Sequence, residues 1–493
     1  MKRRNSANPA KRRLTVCAAF LLIVLSVAGS VVVAAQDLIL SQESIEVEGM
    51  RPVGLSPDGQ LLAATNFSMK SLCVYAVEPF AEQVCTSLEP LQAGLRIEDV
   101  AWSPDSTRLV MSERAFVYLR DGDLWVMDAR SGDLDNITDD GYEGDFPLRS
   151  EPNGQTFSFD VSPAWTPDGQ FITYSRSLWV DGVFTVNDIV TIPAGGGEPK
   201  SLVTIDEEQP GIAYLRMRWT SDGAALYYTL SGTSIEDPRN GIYRYDAASG
   251  SSDMVLGGSA TTGGPAVVEV SPAGDYLLVW YPYLAGSYAG TDPLYWLLDP
   301  SSGVVQPLIP PEGAEGGIGF VGAATFAPDG RSVLLGTRLT DPNFQLWELD
   351  LASHDATLLV ESLPGVMVME YTLPPTWTSS GRIFVSSNIG SGTLLEVAPR
   401  NTPQIETAAT PAAEISPDAL VLKSGDMVTV SSEGVPLFSA PSATSQAVLL
   451  VGEGDHLIVL GQAQEGEGVL WLPVQDEETR TIGFVRVELL EVL

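Results

Sequence analysis

Short apolar runs separated by turn-forming residues fill the chain after its first 36 residues. The runs are rich in Val, Ile, Leu, Tyr and Trp, and clusters of Gly, Pro, Asp and Ser separate them. This spacing is typical of β-strands joined by tight turns. After Ala35 no long stretch shows a helical period. The pattern therefore predicts an all-β protein.

One motif recurs seven times along these runs. Each copy has an aromatic or apolar residue, then Ser, Thr or Ala, then Pro-Asp-Gly or a remnant of it, and then an apolar run. The copies begin at Leu55, Trp102, Trp165, Trp219, Val270, Phe326 and Trp377. Proline restricts its own φ, aspartate can bond nearby backbone amides, and glycine tolerates positive φ. The motif therefore predicts a tight turn between two strands.

A second element follows each copy, consisting of another strand and a turn that is usually rich in Gly and Ser. Its clearest examples begin at Asp123, Asp188, Gly241, Leu294 and Gln345, and weaker ones at Ser71 and Thr393. Two hairpins per repeat predict one four-stranded sheet. Seven such sheets can cover both of their faces by packing radially, so we expect a seven-bladed β-propeller over residues 37–400. A strand near Ser44–Glu48 is expected to close the ring by pairing in the last blade.

The repeat also resembles a known family. The alternation of WTPDG at Trp165 with DIVTIPAGGGEPKSLV at Asp188 resembles the TolB-like, or WD40-like, propeller repeat. That repeat also occurs in the propellers of prolyl-oligopeptidase-type enzymes. The resemblance spans roughly Leu40 to Arg400 and implies a β-propeller. Tryptophan recurs in register before four of the turns, and we expect it to pack between blades.

Residues 1–36 predict export. Six basic residues come first, and the uncharged apolar run from Leu14 to Ala35 follows them. The length of this run favours a retained membrane anchor, whereas Val33-Ala34-Ala35 is an acceptable cleavage site for a signal peptide, so both readings stay open. In either case the acidic remainder is expected outside the cytoplasmic membrane, either secreted or anchored there by the N-terminal helix.

The C-terminal part predicts a separate module. Residues 401–420 are rich in Thr, Ala and Pro, which indicates an extended linker. Residues 421–493 contain several short strands, on the scale of a small β-barrel. The run from Ser439 to Gly461, with Trp471 and the segment that begins at Gly483, is similar to the bacterial SH3-like domain. This resemblance implies a module that can bind cell-wall peptides, and a purely structural tail is the alternative.

Charge and composition exclude several classes of function. The 493 residues include 27 Lys and Arg against 63 Asp and Glu. A surface this acidic repels phosphate backbones, so nucleic acid is not expected as a partner. Two histidines and three cysteines are too few for the usual zinc clusters. No Gly-x-Ser-x-Gly motif, which marks a hydrolase nucleophile, is present.

One acidic loop is a weak candidate for a calcium site. It follows a strand of the second blade and contains Asp139, Asp140, Glu143 and Asp145. Carboxylate oxygens in a loop that also contains glycine suit Ca²⁺. The spacing does not match an EF-hand loop, and a solvated acidic surface is the alternative. No other cofactor is expected.

Cys73 and Cys85 are the candidate disulfide. They lie 12 residues apart, on two strands joined by a turn near Pro79, and an exported protein occupies a compartment that permits disulfides. We expect the two cysteines to face each other across a hairpin of the first blade. Two buried thiols are the alternative.

Together these features predict a non-catalytic binding or scaffold protein at the bacterial cell envelope. The propeller would be a platform for a protein partner or an envelope ligand, and residues 421–493 a cell-wall-binding module. The alternative is a propeller enzyme of the lyase, lactonase or hydrolase type that acts in the central pocket. Such enzymes usually place His or metal-binding carboxylates at the mouth of that pocket, whereas His354 is expected in a turn at a blade's edge.

Overall fold

A computed structural model describes most of the chain between residues 39 and 492. The described residues are 39–47, 49–91, 94–113, 122–141, 156–180, 183–205, 216–232, 234, 237–259, 263–281, 295–308, 321–338, 343–364, 375–386, 391–397, 427–430, 435–438, 447–451, 456–460, 464–466, 469–476 and 482–492. The predicted export segment at 1–36 and the predicted linker at 401–420 lie outside them. Within these ranges, no helix has the length and apolar character that crossing a bilayer requires.

Strands dominate residues 39–397. In chain order they are β1 (Ile39–Glu46), β2 (Met50–Leu55), β3 (Leu61–Asn66), β4 (Ser71–Ala76), β5 (Ala81–Ser87), β6 (Ala101–Trp102), β7 (Arg108–Ser112), β8 (Leu124–Asp128), β9 (Leu134–Asn136), β10 (Thr156–Trp165), β11 (Phe171–Val180), β12 (Val183–Pro193), β13 (Lys200–Ile205), β14 (Met217–Trp219), β15 (Ala225–Leu230), β16 (Gly241–Asp246), β17 (Ser252–Gly257), β18 (Ala266–Val270), β19 (Leu277–Trp280), β20 (Tyr295–Asp299), β21 (Val304–Pro307), β22 (Val321–Phe326), β23 (Ser332–Arg338), β24 (Asn343–Asp350), β25 (Ala356–Pro364), β26 (Thr376–Trp377), β27 (Arg382–Ser386) and β28 (Ser391–Val397). The helical structure described here is confined to two short 3₁₀ segments, Ile97–Asp99 and Val487–Leu489.

These strands form seven four-stranded antiparallel sheets, which we number 1 to 7 in chain order. Sheets 1 to 6 each contain four consecutive strands, from β2–β5 in sheet 1 to β22–β25 in sheet 6. Sheet 7 combines β26, β27 and β28 with β1, which pairs antiparallel with β28. The predicted closing strand is therefore confirmed, although it begins at Ile39, earlier than expected.

The repeated motif makes the turn between the first two strands of a sheet. In sheet 1 the Ser56 hydroxyl donates to Asp58 Oδ1 at 2.6 Å, and the same oxygen accepts the amide of Gln60 at 3.0 Å. Gly59 has φ +72°, and Ser106 takes the corresponding position in sheet 2 with φ +62°. The turn is therefore specified by hydrogen bonds among residues that are adjacent in sequence.

The sheets pack on one another in a closed ring. Buried apolar clusters join each sheet to the next, and the cluster that contains Ile45, Leu55, Leu62, Phe384 and Leu394 joins sheet 7 to sheet 1. First strands contact the first strands of neighbouring sheets along β6, β10, β14, β18, β22 and β26. The first strands therefore surround the centre of the ring, which is the arrangement of a β-propeller.

Tryptophans at the ends of first strands connect neighbouring sheets. The indole nitrogen of Trp102 donates to the carbonyl of Gly54 at 3.2 Å, and that of Trp165 to the carbonyl of Ala101 at 3.0 Å. Trp219 donates to the Thr173 hydroxyl at 3.1 Å. Each acceptor lies in the preceding sheet, so the interpretation of these tryptophans as packing residues is confirmed.

The tail forms one further sheet with its own core. Its strands are β29 (Met427–Val430), β30 (Val435–Phe438), β31 (Ala447–Val451), β32 (His456–Val459), β33 (Gln464–Gly466), β34 (Val469–Asp476), β35 (Ile482–Arg486) and β36 (Leu490–Val492). They pair in the order β31-β30-β35-β34-β32-β29-β36, and β33 pairs with β34. Trp471 is fully buried, with the Phe438 ring edge-on at 5.5 Å. Its identity as an SH3-like barrel stays a prediction.

Candidate functional site

Two charged side chains occupy equivalent positions on neighbouring first strands at the centre of the ring. Arg218 is in β14 of sheet 4, and Glu269 is in β18 of sheet 5. Each directly precedes the first residue of a repeated motif. We refer to Arg218 and Glu269 as the central charged pair.

Backbone carbonyls hold the guanidinium of Arg218 in place. Its Nε donates to the carbonyl of Val268 in sheet 5 at 2.8 Å, and its Nη1 donates to the carbonyl of Met217 at 2.8 Å. No further hydrogen bond of Arg218 is found among the described residues, so Nη2 keeps its donors. Arg218 is therefore both oriented and available to a ligand.

The carboxylate of Glu269 is held in a similar way by sheet 6. Its Oε2 accepts the Thr325 hydroxyl at 2.9 Å and the amide of Phe326 at 3.1 Å. In the described part of the chain, Oε1 has no hydrogen-bond partner, and no ion pair joins Glu269 to Arg218. The central charged pair therefore presents one unpaired donor edge and one unpaired acceptor.

Burial shifts the pKa values of both members of the pair. Arg218 is exposed to solvent, yet protein atoms crowd around it, and this burial together with the nearby Arg216 lowers the pKa of Arg218. Burial raises the pKa of Glu269 to about 7, although the Thr325 hydroxyl, the Phe326 amide and Arg218 all act to lower it. Glu269 can therefore gain or lose a proton near neutral pH.

A second arginine extends the positive side of this site. The guanidinium carbon of Arg216 lies 5.0 Å from the centre of the Trp280 ring in sheet 5, a cation–π contact. Arg216 is close enough to Arg218 to lower the pKa of that residue. The positive charge is thus contributed by sheet 4 and lies against sheet 5.

The central charged pair was not predicted from the sequence, although a signal was present. The residue before each motif is small or hydroxylated in the other five copies, namely Gly54, Ala101, Ala164, Thr325 and Thr376. Only the fourth and fifth copies carry a charge there. Comparing the repeats position by position would have singled out Arg218 and Glu269.

The structure gives two of the calcium candidates roles within the protein. Asp139 Oδ1 accepts the amide of Gly141 at 2.8 Å, and Asp140 Oδ2 accepts the amide of Ser158 at 2.6 Å. Glu143 and Asp145 lie outside the described residues. Calcium binding by this loop therefore stays a prediction.

A buried acidic cluster lies close to that loop, between sheets 2 and 3. Asp160 is fully buried, and its carboxylate accepts hydrogen bonds from Nε and Nη2 of Arg176 at 2.9 and 2.7 Å. Asp123 accepts Asn136 Nδ2 at 2.7 Å, and burial raises the pKa of Asp123 to about 6. These carboxylate oxygens are engaged by protein donors, so the cluster has a structural role.

Cys73 and Cys85 are directly opposite each other on β4 and β5, with their Cα atoms 4.0 Å apart. Their sulfur atoms are joined as a disulfide. With Glu82 they are the one group of possible metal ligands found among the described side chains. Because bonded sulfurs have no thiolate to offer a metal, we assign no metal to this group.

Neither histidine lies in a first strand of the ring. His354 is exposed in the turn between β24 and β25, with φ +61°. This turn joins the third and fourth strands of sheet 6, as expected from the sequence. His456 begins β32 in the tail.

Comparison with known proteins gives similarity of fold only. No protein-family profile and no curated protein matches the chain. Similar solved structures include TolB from Acinetobacter baumannii, with 14% identity over 71% of this chain and 80% of that chain and a TM-score of 0.35. The Cps50 (Swd1) β-propeller domain from Myceliophteria thermophila has 10% identity over 73% of this chain and 99% of that chain, with a TM-score of 0.43. Puromycin hydrolase has 16% identity over 70% of this chain and 50% of that chain, with a TM-score of 0.40. Similarity this low supports no inference about function, and the fold assignment rests on the strand pairing.

Proposed function

We propose that this protein is an exported, non-catalytic binding protein of the cell envelope. In this proposal residues 37–400 form a seven-bladed propeller that engages a protein or an envelope ligand through the centre of its ring. Residues 421–493 form an SH3-like module that adds attachment to cell-wall peptides. The apolar run from Leu14 to Ala35 supports export, and the Cys73–Cys85 disulfide fits an oxidising compartment.

The observation that carries this proposal is a contrast between two kinds of polar group in the ring. Trp102, Trp165 and Arg382 direct their donors to neighbouring sheets and hold the ring together. Arg218 and Glu269 are also anchored, yet each keeps a polar atom that bonds nothing among the described residues. A rigid frame with unsatisfied, oriented polar groups at its centre is typical of a binding site.

Photo-crosslinking in producing cells tests this proposal. Ala273 lies in the turn between the first two strands of sheet 5, next to the centre of the ring, and Ala248 lies in the outer turn of sheet 4; both are exposed. We expect a photoreactive residue at 273 to form an adduct with an envelope component, and the matched residue at 248 to form none. Equal adducts at both positions, or an adduct at 248 alone, would contradict binding at the centre.

One observation favours the enzymatic alternative. The pKa of Glu269 near 7 suits a general acid or base, and Arg218 could stabilise a developing negative charge. A purified protein that hydrolyses esters or lactones, and loses this activity in Glu269→Gln but not in the exposed-site variant Asp253→Asn, would favour the enzyme. Unchanged activity in Glu269→Gln would exclude Glu269 as its acid or base.

A further inference from the structure

The central charged pair is arranged for a ligand of opposite polarity at its two ends. Arg218 and Glu269 have opposite charges and lie close enough for Arg218 to act to lower the pKa of Glu269. They nevertheless form no ion pair in the described part of the chain, since backbone groups of three sheets hold them in separate positions. A group that lies between them must present a negative end to Arg218 and a positive end to Glu269.

The chemistry of the two ends narrows the class of ligand. A guanidinium edge binds carboxylates well, because its parallel N–H donors match the two carboxylate oxygens. A carboxylate with one oxygen already fixed by protein donors can accept an ammonium group with the other. Arg216, held against Trp280, adds positive charge on the side of Arg218.

We propose that the centre of the ring binds a small zwitterion of the α-amino acid class, with its carboxylate on Arg218 and its ammonium group on Glu269. This inference rests on the proposed binding function and specifies the ligand. Asp222 and Asp329 are exposed in the turns that follow the first strands of sheets 4 and 6, and their negative charge disfavours a simple anion. A zwitterion carries no net charge and avoids that repulsion.

Isothermal titration calorimetry on the full chain tests the two ends separately. The probes are L-alanine, its amide, which lacks the carboxylate, and propionate, which lacks the ammonium group; tri-L-alanine separates the two groups along a peptide. We expect L-alanine to bind, and each analogue and the tripeptide to bind at least about tenfold more weakly, since each loses a charge-assisted hydrogen bond. Propionate binding as tightly as L-alanine would overturn the proposal in favour of an anion site.

Variants of Arg218 and Glu269 test whether these two residues are responsible for the binding of L-alanine. Arg218→Lys keeps the positive charge but removes the parallel N–H donors of the guanidinium. Glu269→Gln removes the negative charge but keeps an oxygen that can accept from Thr325 and Phe326. Both are expected to weaken L-alanine binding about tenfold or more. Arg244→Met is the matched control, because Arg244 is in sheet 4 but pairs with Asp246 at the surface. Unchanged affinity in both central variants, or equal loss in the control, would overturn the proposal.

Proton release gives a readout that a structural role would not move. Burial raises the pKa of Glu269 to about 7, and an adjacent ammonium group favours its ionised form, so binding near neutral pH should release a fraction of a proton. Titrations in two buffers with different ionisation enthalpies measure this number, and Glu269→Gln should abolish it. If no probe binds while the crosslink from position 273 persists, the zwitterion proposal is wrong and the proposed binding function stands.

Discussion

Arg382 in sheet 7 donates a hydrogen bond from Nη1 to the backbone carbonyl of Gly59 in sheet 1, 3.0 Å away and 323 residues apart in sequence. The same guanidinium forms ion pairs with Glu78 at 2.6 Å and Glu396 at 3.4 Å. Arg382 is buried, and its partners belong to the first and the last sheet. It therefore joins the two ends of the ring. Arg108 makes the equivalent contact between sheets 2 and 3, where its Nη2 donates to the carbonyl of Gly169 at 3.1 Å.

Replacing Arg382 should weaken ring closure. Arg382→Met removes the donor to Gly59 and leaves that carbonyl without its partner, so we expect the free energy of unfolding to fall by about 2–3 kcal/mol. Arg244→Met removes an arginine from a surface ion pair and should cost less than about 1 kcal/mol. Chemical denaturation measures both. Equal losses in the two variants would show that Arg382 does not stabilise the closure.

Alanine substitutions at two glycines with nearly the same φ distinguish the cost of backbone strain from the cost of a packing clash. Gly59 has φ +72°, and a Cβ there would lie 2.6 Å from Ser380 Oγ in sheet 7. Gly250 has φ +71°, with open space around the corresponding Cβ. Alanine at either position carries backbone strain of about 1 kcal/mol, and at Gly59 the clash should add about 1–3 kcal/mol. Equal destabilisation of Gly59→Ala and Gly250→Ala would contradict close packing of sheet 7 on sheet 1.

The Cys73–Cys85 disulfide should form in the exported protein. When the non-reduced protein is treated with an alkylating reagent, mass spectrometry should detect no alkylation of Cys73 or Cys85. The double variant with Ser at both positions should lose about 3 kcal/mol of stability, because the bond closes a short loop in the unfolded chain. Alkylation of both thiols without reductant would show that they are free.

Asp123 should make stability depend on pH. Burial and the nearby Asp140 raise its pKa to about 6 in the folded protein, against 3.8 in the unfolded chain. Its stabilising contribution is therefore fully present below about pH 4 and is lost as the pH rises through 6, by at most about 3 kcal/mol. Asp123→Asn should raise the free energy of unfolding at pH 8 and leave it unchanged at pH 4.

Asp253→Asn is the control for this experiment, because Asp253 is exposed in β17. It removes one negative charge from the surface without changing the buried cluster. Thermal unfolding at pH 4 and pH 8 compares the two variants with the parent protein. The same pH dependence in the parent and in Asp123→Asn would rule out this role for Asp123.

Attachment to the cell wall should depend on the tail. The tail sheet has its own buried core, which includes Val428, Leu457, Leu472 and Val485, so we expect it to fold separately. On purified cell wall, the chain that starts at Val421 should bind, and the chain that ends at Ala419 should not. Full binding by the chain without the tail, with none by the isolated tail, would make the tail purely structural.

Sequence reasoning succeeded where interactions are local. The turn at Ser56, Asp58 and Gln60 is held by two hydrogen bonds, each between residues two positions apart, so its pattern can be read directly. The number of repeats equals the number of four-stranded sheets in residues 39–397, because each repeat contains its own two hairpins. The closing strand was also predictable, since a ring of sheets leaves one edge that only another strand can cover.

Acidic residues show where such reasoning stops. With 63 Asp and Glu in the chain, composition cannot separate a ligand from a turn residue. Asp139 and Asp140 are candidate calcium ligands, and in the structure they accept hydrogen bonds from the amides of Gly141 and Ser158. Calcium binding stays a prediction, whereas these hydrogen bonds could not be predicted because they depend on which amides the fold places nearby.

The amino-acid sequence by itself determined the all-β class, the repeat and its turns, because these depend on neighbouring residues and on alternation along each strand. The tertiary structure alone decided that Arg382 meets Gly59, and that Arg218 and Glu269 lie side by side without pairing. Such relationships depend on which sheets become neighbours when the ring closes. Hydrogen bonds of this kind are short-ranged, so residues far apart in sequence acquire their roles only when packing brings them within about 3 Å of each other.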